Sequence, residues 1–437
     1  MKIVMMTNTY KPMMGGLERS VESFASRYRL MGHPTVIVAP EFAGMPAAEK
    51  DVVRLPSWRN VNGTDFSVNW PVEGRLRRLF EDEFVPDIVH AHHPFLIGDM
   101  ALRLCGHGQI PLVFTYHTLY DQYTQYLPVD NQAAKQFVRS LSAGYANLVN
   151  QVIAPSQSVK DLLVSDGVKT PIEVIPTGVE DVFFEKADQG TFRGRHGISP
   201  GAFVFGSASR IAPEKNVGCL MKAAARVLRR IPGSVFMMVG DGSSKAGMEA
   251  YFERVRLKDR VVFLGALGGG DLIDAYQAMD AFVFASVSET QGMVVSEAMA
   301  GGVPVIAVDG PGVRDIVESG RNGMLAASNR PEVLAEKVVE FERMDPPKKS
   351  SWKDGARKSA ENVSMDRMSR KALKLYEAVY ARKKAAPRNL IEKEWEEWKN
   401  RIQTEWSLLK NIGAAAQDAL FPVVLETDEP APDKAKV

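Results

Sequence analysis

Two glutamates at Glu-x7-Glu spacing, Glu289 and Glu297, stand out among the residues able to do chemistry. They sit in Ser288-Glu289-Thr290-Gln291-Gly292-Met293-Val294-Val295-Ser296-Glu297, directly after the apolar run Ala281–Ala285 and at the entrance to a helical pattern. A helix N-terminus at a strand's carboxyl end offers unpaired N–H groups and partial positive charge, which suit a diphosphate. Carboxylates are strong acceptors for sugar hydroxyls, so the pair could grip the two ends of a nucleotide sugar. Spacing alone leaves open whether Glu289 merely caps the helix while Glu297 is solvated.

A second segment, Ser207-Ala208-Ser209-Arg210-Ile211-Ala212-Pro213-Glu214-Lys215-Asn216, follows another apolar run and places Arg210 and Lys215 around a turn. Together they could neutralise a diphosphate and stabilise it as a leaving group. Taken singly, they are an ordinary surface arginine and lysine. Near the N-terminus, Gly15-Gly16 follows the first apolar run, where a backbone without side chains can approach a ligand closely. His117 ends Leu112–Tyr116 and is either a partner for a sugar or general catalyst, or a structural histidine. His90, His92 and His93 lack an accompanying carboxylate or cysteine cluster, so no metal site is expected.

These residues need strands to carry them. Ile3–Met6, Thr35–Ala39, Val52–Leu55, Ile88–Ala91, Leu112–Tyr116, Gln151–Ala154 and Glu173–Ile175 are continuous apolar runs, the pattern of strands buried on both faces of a parallel sheet. Helical stretches at Leu17–Met31, Ile97–His107, Asn131–Val149 and Ser158–Ser165 separate most of them. The alternation breaks at the polar segment Asp188–Pro200, then restarts with Phe203–Ser207, Val235–Val239, Val261–Leu264, Ala281–Ala285 and Pro304–Val308. The expected fold is α/β: two tandem Rossmann-like doubly wound domains with a cleft between them, plus a C-terminal helical extension. The boundaries fall at 1–187, 188–365, a helix over 366–385 returning to the first domain, and an extension over 386–437. Lys348–Lys384 reads as helical and basic. Beyond Pro387, Ile391, Trp395, Trp398, Ile402, Trp406 and Leu409 form one apolar stripe, and the last residues look disordered.

With 437 residues, two cores are the default, and a net charge of +1 gives no general attraction to nucleic acid. An anionic ligand must therefore be held by local groups. Cys105 and Cys219 are far apart and read as buried thiols in a reducing compartment. The chain opens on a strand-like run without a signal-peptide core, and no apolar stretch approaches the ~20 residues that cross a bilayer. A cytoplasmic protein is expected, touching a membrane only from the side.

In their order, these features resemble the large GT-B glycosyltransferase family with the Glu-x7-Glu motif (family 4-like), over residues 1 to about 380. The Glu289/Glu297 pair followed by Ala298-Met299-Ala300-Gly301-Gly302-Val303-Pro304-Val305 is the most specific match; Arg210, Lys215, Gly15-Gly16 and Ile175-Pro176-Thr177-Gly178-Val179 complete it. The resemblance implies a retaining hexosyltransferase using a nucleotide diphosphate sugar, UDP-glucose being the first guess, with no metal or other cofactor. It implies that Glu289 contacts the donor sugar, Glu297 the ribose, and Arg210 and Lys215 the diphosphate. Backbone amides around Gln291, Gly292 and Met293 would assist, Gly16 would face the diphosphate from the other domain, and His117 would touch the sugar. The leaving phosphate itself would take the acceptor proton.

Thr115-Tyr116-His117-Thr118-Leu119-Tyr120-Asp121-Gln122-Tyr123 and Glu289-Thr290-Gln291-Gly292 look like the glycolipid-forming branch typified by diacylglycerol glucosyltransferases, implying a lipid acceptor. Arg75, Arg77 and Arg78 among Leu76, Leu79, Phe80 and Phe84 could lie on an anionic interface, although Glu81, Asp82 and Glu83 follow at once. A soluble acceptor, a catalytically silent nucleotide-sugar binder and a sugar-nucleotide epimerase are the alternatives. Neither the oligomeric state nor the role of the tryptophan stripe can be read from the residues.

Overall fold

The computed structural model describes residues 1–13, 15–58, 68–69, 76, 78, 80, 83–108, 110–120, 132–187 and 189–384. The tryptophan stripe and tail, the Asp121–Tyr123 part of the glycolipid-like motif, and Arg75, Arg77, Leu79, Glu81 and Asp82 lie outside them.

In the first half, strands β1 (Ile3–Met6), β2 (Thr35–Pro40) and β3 (Val52–Leu55) are followed by the two-residue strands β4 (Ser57–Trp58) and β5 (Val68–Asn69), then β6 (Ile88–Ala91), β7 (Leu112–Thr115), β8 (Gln151–Ala154) and β9 (Ile172–Val174). Helices α1 (Gly16–Leu30), α2 (Ile97–Gly108), α3 (Gln132–Ala146) and α4 (Gln157–Ser165) intervene. Seven strands form one parallel sheet in the order β3-β2-β1-β6-β7-β8-β9. The second half carries α5 (Gln189–Arg195), β10 (Val204–Ala208), α6 (Val217–Arg230), β11 (Val235–Val239), α7 (Lys245–Arg254), β12 (Val261–Gly265), α8 (Gly269–Gln277), β13 (Ala281–Phe284), α9 (Met293–Ala300), β14 (Val305–Val308), β15 (Gly323–Ala326), α10 (Pro331–Glu342), α11 (Pro346–Asn362) and α12 (Met365–Lys384). Its six parallel strands run β12-β11-β10-β13-β14-β15.

Both sheets are therefore open, parallel and doubly wound, as the continuous apolar runs require. β1, β6, β7, β8, β10, β13 and β14 are buried at every position. In the second half, separate cores form on the two sheet faces: Leu220, Ala224, Leu228 and Phe252 on one, Leu272, Tyr276, Met299 and Val303 on the other. The short strands β4, β5 and β15 and one helix break depart from the sequence reading. β15 was not foreseen, because Gly323-Met324-Leu325-Ala326 is short and lacks β-branched residues. The stretch read as helical over Lys348–Lys384 is two helices, broken at Val363-Ser364 where the backbone pairs elsewhere, and the second matches the helix expected over 366–385.

That break is where the chain crosses between halves for the second time. Val179 N–H donates to Val363 O at 2.9 Å and Met365 N–H to Val179 O at 2.8 Å, so the outgoing and returning strands bond side by side. α12 then packs Met365, Met368, Leu373, Tyr376 and Val379 into the first half's core with Ile3, Val21, Tyr28 and Ile37. Gly178 permits the close crossing: a Cβ there would lie 2.3 Å from the Cα of Met365. Overpacking against backbone costs about 1–3 kcal/mol or more. Gly178→Ala should therefore lose about that much stability in urea titration; unchanged stability would show that the crossing has slack.

Candidate active site

In an open α/β sheet the ligand crevice lies beyond the strand carboxyl ends where the strand order reverses. Those points are β1/β6 in the first half and β10/β13 in the second. The loop after β10 carries Arg210 and Lys215, and the loop after β13 carries Glu289, Gln291 and Gly292. Lys215 Nζ meets Glu289 Oε1 at 2.6 Å, both side chains being largely buried. Arg210 extends outward, 60% exposed, with its guanidinium 2.8 Å from Glu214. Arg210 makes no ion pair with Glu289 among the described residues and lies five positions before Lys215 in the same loop.

Helix α9 begins at Gly292, whose φ of +78° favours glycine and which makes no side-chain cap. Glu289 is thus not the cap that spacing had left open. The N–H groups of Gln291, Gly292 and Met293 donate to no acceptor among the described residues, as at an uncapped helix N-terminus. The first turn of α1 stands opposite: a Cβ added at Gly16 would lie 3.8 Å from Met293 Sδ. Two helix N-termini therefore face one gap, an arrangement that favours a doubly charged anion. Gly15 has a different task, since its N–H donates to Glu18 Oε2 at 2.8 Å, which satisfies the N-cap amide of α1 from the N3 side chain.

Glu297 is not solvated. Its side chain is 4% exposed, with Oε2 accepting from Tyr276 Oη at 2.8 Å and Oε1 lying 2.5 Å from the Arg19 guanidinium. A buried carboxylate requires such partners. Burial first, and the Glu297 charge second, raise Tyr276 well above the usual phenol value, so it stays a donor. The Gln291 side chain has a role that the sequence reading did not address. Its amide takes the Thr177 N–H and returns a bond to Thr177 O, both at 2.7 Å, which locks the loop before α9 onto the first crossing strand. Thr290 Oγ1 donates to His117 O at 2.9 Å across the same boundary.

His117 lies at the carboxyl end of β7 beside this seam. Its Nε2 is 2.9 Å from His92 Nδ1, and the rings stack at 5.1 Å. His92 Nε2 is buried with no partner. Behind them runs a directed chain in which Tyr28 donates to Tyr376 at 3.3 Å and Tyr376 lies 2.6 Å from His90 Nδ1. His90 Nε2 lies 2.6 Å from Thr115 Oγ1, so both of its nitrogens are spent on structure. His93 Nδ1 accepts the Asn8 N–H at 3.1 Å.

Burial pushes His90 and His93 down to about 3, and burial with the neighbouring histidines holds His92 and His117 well below the ordinary imidazole value. All four are neutral, so His117 can accept or donate a hydrogen bond but brings no charge. Because the folded values are depressed, the unfolded chain takes up these protons first as pH falls below about 6.5. Stability is therefore lost on acidification, by up to about 1.4 kcal/mol per pH unit for each histidine. Denaturation between pH 6.5 and 5.5, above most carboxylate titration, should show this slope, and His93→Asn should make it shallower. A flat profile would mean that the histidines are not buried in the neutral form.

Sequence reasoning missed Arg19 and Tyr276, weighed His92 only as a metal ligand and took Thr177 only as part of the Ile175–Val179 run. Arg19 carried a hint, standing one helical turn after Gly16, whereas Tyr276 sits in a run that reads as ordinary core.

Comparison with known proteins is consistent with this geometry. Residues 14–182 match the model described as Glycosyltransferase Family 4, and residues 188–359 match Glycosyl transferases group 1. An alpha-monoglucosyldiacylglycerol synthase of Streptococcus pneumoniae is 29% identical over 74% of this chain and 75% of its own length. A D-inositol 3-phosphate glycosyltransferase of Actinosynnema mirum is 30% identical over 66% of this chain and 72% of its own. Among solved structures, Anabaena HepE in complex with UDP superposes with a TM-score of 0.70 at 20% identity, over 86% of this chain and 100% of that one, which shows a shared fold. The chain belongs to glycosyltransferase family 4, as an enzyme of the two-domain GT-B fold.

Proposed function

We propose that this enzyme transfers a hexosyl group, with retention at the anomeric carbon, from a UDP-sugar (UDP-glucose first) to a membrane lipid such as diacylglycerol. The observation that carries the donor half of this reading is the Lys215–Glu289 pair beside the unpaired N–H groups of Gln291, Gly292 and Met293, with Gly16 opposite. In this reading the diphosphate settles between the two helix N-termini, and Lys215 turns from Glu289 to the phosphate while Arg210 closes over it. Glu289, released from its lysine, accepts from a hydroxyl of the donor sugar. Glu297 accepts from the ribose, and neutral His117 bonds to the sugar near the reacting carbon. The sugar–phosphate bond breaks, the acceptor oxygen bonds the anomeric carbon on the same face, and the departing phosphate takes the acceptor's proton. Arg210, Lys215 and the helix ends are the groups assigned to charge neutralisation, with no metal in the scheme.

The lipid half rests on relatives. Besides the Streptococcus pneumoniae protein, an alpha-monoglucosyldiacylglycerol synthase of Acholeplasma laidlawii is 26% identical over 75% of this chain and 85% of its own length. No helix among the described residues is long and apolar enough to cross a membrane, so a lipid acceptor would be met at the surface. A second donor reading is favoured by one observation: a GDP-mannose-dependent alpha-mannosyltransferase of Mycobacterium tuberculosis is 29% identical over 78% of this chain.

The test is transfer of radiolabel from a panel of UDP-, GDP- and ADP-sugars into a total lipid extract. Label should enter the organic phase from UDP-glucose, and Glu289→Ala should abolish this. Lys215→Ala should lower kcat by about 10²–10³-fold, the scale of losing one group that stabilises developing charge. Label confined to water with nucleotide released would sink the lipid acceptor. No donor consumed with any acceptor would sink catalysis and leave a silent binder.

A further inference from the structure

We infer that Arg19 is a positioning residue for donor recognition: it holds Glu297 ready for the nucleoside's ribose, and can do so only while the two halves are together. The inference rests on the proposed reading that Glu297 accepts from ribose. Glu297 lies on α9 in the second half, whereas Arg19 lies in the first turn of α1, one turn beyond the Gly16 that faces Met293. An ionised carboxylate offers about four lone-pair sites. Tyr276 Oη takes one on Oε2, and the Arg19 guanidinium takes one on Oε1. One site therefore remains on each oxygen, which suits a vicinal pair of hydroxyls donating side by side.

The surroundings agree with a ligand at this wall. Arg19, Ser23, Thr177, Met293, Ser296 and Glu297 line one cavity. The Ser296 hydroxyl is buried there without a hydrogen-bond partner, although a helical serine can usually bond back to its own helix. Tyr276 alone cannot set the carboxylate plane, because a single bond to one oxygen leaves the other free to turn. Arg19 supplies the second point and the balancing charge, and it comes from the opposite half. Opening the cleft would withdraw it, leaving Glu297 bonded only through Oε2. Arg19 thus ties the quality of the ribose acceptor to closure, so nucleotide is held firmly only by the closed form.

The experiment is calorimetric titration of UDP and of GDP, each beside its 2′,3′-dideoxy analogue, into wild type, Arg19→Met and Arg19→Lys. Wild type should prefer the ribose form of its own nucleotide by about tenfold or more, the scale of hydrogen bonds to a charged acceptor. Arg19→Met should narrow that preference to about threefold or less while binding the dideoxy analogue as wild type does. Arg19→Lys, which keeps the charge within reach, should restore most of it. Full discrimination in Arg19→Met would overturn the inference and leave the pair as a simple latch between halves. Equal binding of both forms by wild type would overturn the ribose role of Glu297 itself, and failure of both nucleotides to bind would overturn the donor reading.

Discussion

In a parallel sheet every strand ends at the same edge, and this polarity governs the rest of the molecule. Each sheet sends its loops to one side, and at the reversals β1/β6 and β10/β13 two neighbouring loops diverge and leave room for a ligand. The helices that follow begin at that edge, so their unpaired N–H groups are delivered to the same place. Turning two such edges toward each other brings the N-termini of α1 and α9 within a side chain's length. That concentration of positive potential would be unfavourable without an anion or internal carboxylates to balance it. Glu18, Glu289 and Glu297 all lie in these segments, bonded respectively to the Gly15 amide, Lys215 and Arg19.

Much of this was legible because parallel strands buried on both faces leave continuous apolar runs. Ile3–Met6, Val52–Leu55, Ile88–Ala91, Gln151–Ala154 and Val235–Val239 have the bounds their residues indicate. The same runs locate the carboxyl edge, so the segment with Arg210 and Lys215 and the segment with Glu289 each read as loops at a ligand-binding edge. What escaped were contacts that depend on the mutual placement of the halves. Arg19 and Glu297 are 278 positions apart and Gln291 and Thr177 are 114 apart, and nothing local in either member of a pair announces the other. Burial stayed open for the same reason: whether a carboxylate inside a helix is solvated is decided by the tyrosine and arginine that reach Glu297 from other elements.

The histidines illustrate a different limit. Clustered imidazoles in Ile88-Val89-His90-Ala91-His92-His93 invite a chemical reading, yet His90 is consumed by Thr115 and Tyr376 and His93 by the Asn8 amide. Side chains alternate along a strand, so His90 and His92 share a face with ring centroids 4.1 Å apart, and it is their separate partners that distinguish them. Of the three, only His92 reaches His117, and it does so as a neutral partner whose other nitrogen is sealed from solvent.

The double crossing at Val179 and Ser364 has a mechanical consequence. A single connecting strand would let one half swivel, tilt and twist about it. Two strands bonded through Val179 to Val363 and Met365 behave as a door hinge with two knuckles, which leaves one easy rotation and resists torsion. Because α12 belongs to the first half's core, exchanging the second half with that of a relative requires two splices rather than one. A recombinant joined only near residue 190 would carry a foreign closing helix against a native core, and its fault would show in the axis of motion before it showed in either site.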